Sequence, residues 1–102
     1  MITRGQVWTV SSIGEGEPIP YLIISSDIYN AVDTPCVVAV EIDRYLLRDQ
    51  PVGVVMETPV SGTALPDKIM AVPRSWLLEN LGVASKATVA KVNHQLRAVL
   101  DL

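Results

Sequence analysis

The chain has 102 residues, enough for one domain with one small core, because a chain of this size buries only about two-thirds of the surface it exposes when unfolded. Hydrophobic residues make up 49%, charged ones 19%, and valine and isoleucine recur in short runs, which excludes a disordered chain and favours a β-rich domain with modest helix. Eight basic residues against eleven acidic ones, a formal charge of −3, argue against a protein that lives on nonspecific DNA or RNA contacts over its whole surface, while leaving room for a local basic groove.

Gln6–Val10, QVWTV, alternates as a first strand, with Val7 and Thr9 on one face and Trp8 and Val10 on the other. Residues 11–18, SSIGEGEP, carry two glycines, a proline and two glutamates, and are expected to be a mobile connection whose acidity would repel a phosphate backbone. Residues 20–30, PYLIISSDIYN, are the stretch around which the chain is arranged. Four bulky apolar residues in succession, Tyr21 to Ile24, predict a central core strand over 22–24. Ser25-Ser26-Asp27 then caps a short helix whose apolar members are Ile28 and Tyr29.

Asp33-Thr34-Pro35 makes a turn, and residues 36–42, CVVAVEI, form a third strand. Alternation puts Val38, Val40 and Ile42 on one face and Val37, Ala39, Glu41 and Asp43 on the other, so the two carboxylates point the same way. The single cysteine, Cys36, reads as a core or interface filler in a reducing compartment. Arg44 and Arg48 are four apart and would share a face if residues 43–51 made a helical turn. Residues 52–57, VGVVME, read as a strand; residues 60–64 and 65–67 as two turns; residues 68–72, KIMAV, as a further short strand ended by Pro73.

Ser75 is placed to cap a helix over 76–81 that Gly82 would stop. Ser85 caps the last helix, Lys86–Leu100, in which Val89, Val92, Leu96, Val99 and Leu100 make one apolar stripe suited to a sheet or to a second subunit. His94 falls almost opposite that stripe and is the only histidine, so a histidine metal cluster or a two-histidine ribonuclease is excluded by counting. No positively charged leader precedes an apolar stretch and no run approaches the roughly 18 apolar residues of a membrane span, so a cytoplasmic protein is expected, with no membrane partner. No phosphate-binding glycine loop, paired cysteines at metal spacing or nucleophile elbow is present in the sequence.

The order of short motifs resembles the MazF/PemK family of toxin ribonucleases from bacterial toxin–antitoxin systems. Arg4-Gly5-Gln6-Val7-Trp8 is similar to the family's opening, residues 20–30 to its proline, apolar strand and following polar run, and Leu81-Gly82 with residues 92–102 to its terminal helix; the stretch 44–67 is shorter and poorly matched. The resemblance implies an SH3-like, five-stranded β-barrel or curled sheet of the CcdB/MazF type with short helices. It also implies a homodimer, a cognate antitoxin with an acidic C-terminal segment, and cleavage of single-stranded RNA without a cofactor.

In the family an arginine precedes the second-strand proline, where this chain has Ile19, and a threonine-serine pair ends the third strand, where it has Ile42 and Asp43. RNA cleavage by its own 2′-hydroxyl needs a base, a donor for the leaving oxygen and positive charge near the phosphorus, and isoleucine supplies none of these. Losing one such donor commonly costs about 3 kcal/mol, a hundredfold or more in rate. An active site must therefore be rebuilt, with Asp43 or Glu41 as base and Arg4 or Arg44 on the phosphate; Arg4, Arg44, Arg48 and Ser25 are the candidate nucleic-acid contacts. Two alternatives stay open. The two carboxylates could hold magnesium for metal-dependent DNA or RNA hydrolysis, or the scaffold could act without cleavage, as a CcdB-like protein that binds DNA gyrase through residues 99–102.

Overall fold

The computed structural model describes residues 1–11, 16–46 and 51–102. Six strands form one antiparallel sheet in the order β4-β5-β3-β2-β1-β6, one strand more than the resemblance implied. β1 is Gln6–Val10, β2 Ile19–Ile23, β3 Cys36–Asp43, β4 Val54–Met56, β5 Gly62–Pro73 and β6 Leu77–Val83, with α1 over Asp27–Ala31 and α2 over Lys86–Leu100. β2 lies between β1 and β3 and is buried from Pro20 to Ile23, which is the physical content of its unbroken apolar run.

Both faces of the sheet are covered. Val7, Leu22, Val40, Ile42, Val54 and Met56 pack with Val92 and Leu96 of α2 on one side. On the other, Val10, Tyr21, Ile23, Val37, Ala39 and Val72 gather with Trp8, Trp76 and Leu77. The alternation of β3 therefore sorts its residues as expected, Val40 and Ile42 toward the helix and Val37 and Ala39 away from it.

Three expectations are corrected. The helix over 76–81 is a single 3-10 turn, Arg74–Trp76, followed by β6, because as a strand residues 77–83 pair their backbone with the open edge of β1. Gly82 does have a positive φ, +124°, but inside the strand, at a register shift. The two turns at 60–67 and the strand at 68–72 are one twelve-residue strand, since Thr63, Ala64, Leu65 and Pro66 are buried and a surface turn would expose them. Its register explains the turn-like composition: Val40 faces Ile69 and Ile42 faces Ala64, two steps along β3 against five along β5. In α1, Ser26 caps the helix as an acceptor from Tyr29 N–H, but Ile28 and Tyr29 are exposed and Asn30 is the buried member.

Asn30 is buried because it completes a polar knot with the start of the helix. Its side-chain amide donates to Ser25 O at 2.9 Å and its Oδ1 takes the Ser25 hydroxyl, while Ser25 Oγ accepts from Val38 N–H at 3.1 Å. Arg74 donates to the carbonyls of Thr34, Asn30 and Val32 and holds the α1–β3 connection to the end of β5. α2 keeps its expected bounds and its Ser85 cap, which accepts from Thr88 N–H at 3.1 Å. Only Val92 and Leu96 of its stripe are buried; Val99 and Leu100 remain exposed.

Gly62, at the start of β5, allows a close approach. A Cβ there would meet Asp43 O at 2.7 Å, Ile42 Cγ2 at 3.0 Å and Arg44 Cα at 3.1 Å. Gly62→Ala is expected to cost about 2 kcal/mol, the range of core overpacking. Urea unfolding of the purified protein checks it, and a loss below 0.5 kcal/mol, taken as roughly the scatter of neutral surface changes, would contradict the tight contact.

Candidate active site at the end of the third strand

β3 ends in Glu41-Ile42-Asp43, and the turn that follows carries Arg44 and Tyr45. With Glu17, Ile19 and Pro20 from the entry to β2, they line an open cavity of about 430 Å³. Its apolar lining is the half-buried Ile19, packed against the second cluster, whereas Ile42 is buried in the first cluster on the opposite face. Its rim is charged. Arg44 Nη2 lies 3.2 Å from Glu17 Oε2, Glu41 Oε2 lies 3.4 Å from Lys68 Nζ, and Asp43 Oδ1 accepts from Tyr45 N–H at 2.9 Å. The last contact is an Asx turn, formed by a carboxylate bonding the backbone two residues on, and it uses one of the two Asp43 oxygens.

The structure brings together Glu41, Asp43 and Arg44 of the residues proposed from sequence, and separates Arg4 from them. Arg4 stands at the other end of β2, where Gly5 N–H bonds Ile23 O, and its guanidinium donates to Asn93 on α2. The five steps from Ile19 to Ile24 span about 16 Å at strand rise, and the cavities lined by Arg4 and by Asp43 share no residue. Ser25 likewise stands apart from the cavity: it is buried and its hydroxyl is committed to Asn30 and Val38. Arg48 lies outside the described residues, as do residues 12–15 of the acidic connection. His94 is exposed, beside Lys91 and Val55 in a separate cavity.

Glu41 and Asp43 face different partners. One is turned to Lys68 and the other to its own turn, and among the described residues no three metal-ligating side chains gather. Sequence reasoning missed Glu17 and Lys68, which reach the site only through the β2–β3–β5 pairing, and Tyr45, which follows Arg44 in the turn; the close approach at Gly62 falls in a stretch expected to be a turn.

These features define a class: a small curled antiparallel sheet closed by one C-terminal helix, with a charged cavity where the third strand ends. The family model for PemK-like, MazF-like toxins of type II toxin–antitoxin systems matches residues 3–100, and the chain belongs to that family. Among solved structures, it is similar to an endoribonuclease in complex with its cognate antitoxin from a mycobacterial species, at 32% identity over 99% of this chain and 94% of that one, with a TM-score of 0.85. An endoribonuclease from a mycobacterial species is 31% identical over 99% and 92%, with a TM-score of 0.84. MazF from Deinococcus radiodurans is 26% identical over 99% and 97%, with a TM-score of 0.80. No curated protein matches at a significant level.

One group at the back of the site titrates abnormally. Burial, and after it the Glu41 carboxylate paired across the strands, raise the Tyr21 phenol above its usual value near 10. A folded pKa above the unfolded one means stability that is complete below about pH 10 and is lost as pH rises toward the folded value. Tyr21→Phe should therefore flatten the decline of melting temperature above pH 10; an equally steep decline in the variant would contradict the assignment.

Proposed function

We propose that this toxin is an endoribonuclease that cuts single-stranded RNA at the cavity formed by Glu41, Asp43 and Arg44, acts in the cytoplasm as a homodimer, and is restrained by a cognate antitoxin. The observation that carries the reading is likeness along the whole chain to solved endoribonucleases, one of them bound to its antitoxin, at 31–32% identity. Among the described residues no helix is long and apolar enough to cross a membrane.

In this reading the oxygen of Asp43 outside the Asx turn accepts the proton of a ribose 2′-hydroxyl as the 2′-oxygen bonds to phosphorus. The bond from phosphorus to the 5′-oxygen breaks, and the leaving oxygen takes a proton from solvent. Arg44 supplies the positive charge for the phosphorane, using its fixed fork of donors. Its present partner, Glu17, is largely exposed, and an exposed ion pair is worth about 1 kcal/mol or less, so a phosphate can replace it. Arg4 stands too far along β2 to serve this centre within one chain.

Cleavage of mixed-sequence RNA, with and without chelator, tests the reading. Asp43→Asn and Arg44→Ala should each lower kcat/KM by about a hundredfold, Glu17→Gln should raise RNA affinity a few-fold at low salt by freeing Arg44, and an oligomer with 2′-deoxyribose at the cut site should resist. Cutting of that deoxy oligomer, or full activity in Asp43→Asn, would remove the mechanism. No cleavage together with inhibition of gyrase would turn the reading to a non-cleaving toxin.

The dimer rests on the apolar residues left uncovered at the end of α2, Val99, Leu100 and Leu102, the last two bordering the cavity of Arg4, Ile24 and Leu96. Sedimentation equilibrium at micromolar concentration should give twice the chain mass, and Leu100→Asp should weaken dimer affinity at least tenfold. A strictly monomeric wild type would refute it.

A further inference from the structure

We infer that the cavity at the entry to β2 is also a nucleobase pocket that selects guanine, with Glu41 as the acceptor for the base edge and Tyr45 as the surface on which the base stacks; the inference rests on the reading of this toxin as an RNA-cleaving one. The cavity's volume, about 430 Å³, is that of a small-molecule site, and the half-buried Ile19 and the ring of Tyr45 give it accessible apolar surface. Three carboxylates, Glu17, Glu41 and Asp43, stand around it against the Arg44 guanidinium and, paired with Glu41, the Lys68 ammonium, so that the rim is net negative. Such a rim disfavours phosphates everywhere except beside Arg44, and it favours a neutral group that brings hydrogen-bond donors, because ionised carboxylates only accept.

Of the parts of a single-stranded RNA, only the bases fit both demands, a flat apolar face and a donor edge. Guanine offers two adjacent donors, N1–H and N2–H, that match the two oxygens of one carboxylate. Adenine and cytosine offer an amino group, and uracil a single ring N–H. Glu41 is the carboxylate placed for this. It is half-buried in the wall of the cavity, and its contact with the exposed Lys68 ammonium, 3.4 Å from Oε2, is a solvent-screened one that a base edge can displace, whereas Asp43 spends one oxygen on a backbone turn and Glu17 is largely exposed.

Tyr45 has the complementary feature. It is 87% exposed, a phenol ring that stands open to solvent, and the Asp43 carboxylate fixes its backbone at the cavity mouth. Stacking of one base on an exposed aromatic ring commonly changes affinity by about tenfold or more. Recognition at Glu41 then lies two residues along the same strand from the proposed base, Asp43, so that a held guanine sets which phosphate meets Arg44.

Binding and cleavage are measured separately. Fluorescence anisotropy with uridine oligomers carrying one central guanosine, inosine or uridine reads the pocket, inosine differing from guanosine by the loss of the 2-amino group alone. Wild type should bind the guanosine oligomer about tenfold more tightly than the inosine one. Glu41→Gln should reduce that ratio to about twofold or less, Tyr45→Ala should weaken all oligomers about tenfold, and Tyr45→Phe should behave as wild type, with circular dichroism confirming matched folding. End sequencing of cleaved mixed RNA should show guanine beside the cut, lost in Glu41→Gln. Equal binding of the three oligomers by wild type, or an unchanged ratio in Glu41→Gln, overturns the pocket even where RNA is cut. Guanosine preference in binding without any cleavage upholds it and instead removes the ribonuclease reading.

Discussion

β2 is a strand with no solvent face. Pro20, Tyr21, Leu22 and Ile23 are all buried, so cover is required on both sides, and the rest of the architecture answers that requirement. α2 supplies it on one side through Val92 and Leu96; on the other, Tyr21 and Ile23 meet Val37, Ala39 and Val72. At about 25 cal/mol per Å² of apolar surface removed from water, losing either cover would exceed the margin by which a domain of this size is stable.

The two ends of β2 then become different chemical environments. At its C-terminal end the chain leaves the sheet through Ser25 and Asn30, whose buried polar atoms satisfy each other and the edge of β3. Among the described residues no buried side-chain nitrogen or oxygen lacks a partner, as a low-dielectric interior demands. At its N-terminal end the strand opens on the cavity, where the ion pairs Arg44–Glu17 and Lys68–Glu41 are exposed enough to exchange with a ligand. Rigid chemistry at one end and exchangeable chemistry at the other follow from burial alone.

The isoleucines at positions 19 and 42 belong to the same logic. Ile42 is 1% exposed and packs among Val40, Val54 and Met56, so this position near the end of the third strand serves the core, while its neighbours Glu41 and Asp43 lie on the opposite face. Gly62 keeps that end of β3 in place by letting β5 pass within contact of the Asp43 carbonyl.

Local patterns in the sequence determined the elements whose physics is local. The alternation in β1 and β3, the apolar run of β2, and the bounds and Ser85 cap of α2 are set by side chains within a few residues of one another. The convergence of Glu41 and Asp43 on one face was legible for the same reason, as a consequence of the period of two. Only the tertiary structure decided that residues 77–83 are a strand, because the unpaired edge of β1 is seventy residues away in sequence. Tertiary pairing also decided that Ser25 is spent in a buried knot, that Arg4 and Asp43 stand at opposite ends of β2, and that Glu17, Lys68 and Tyr45 join the site. Each of these depends on which strands pair and in what register, and a register shift such as that between Val40 and Ile42 leaves no mark on the periodicity of either strand taken by itself.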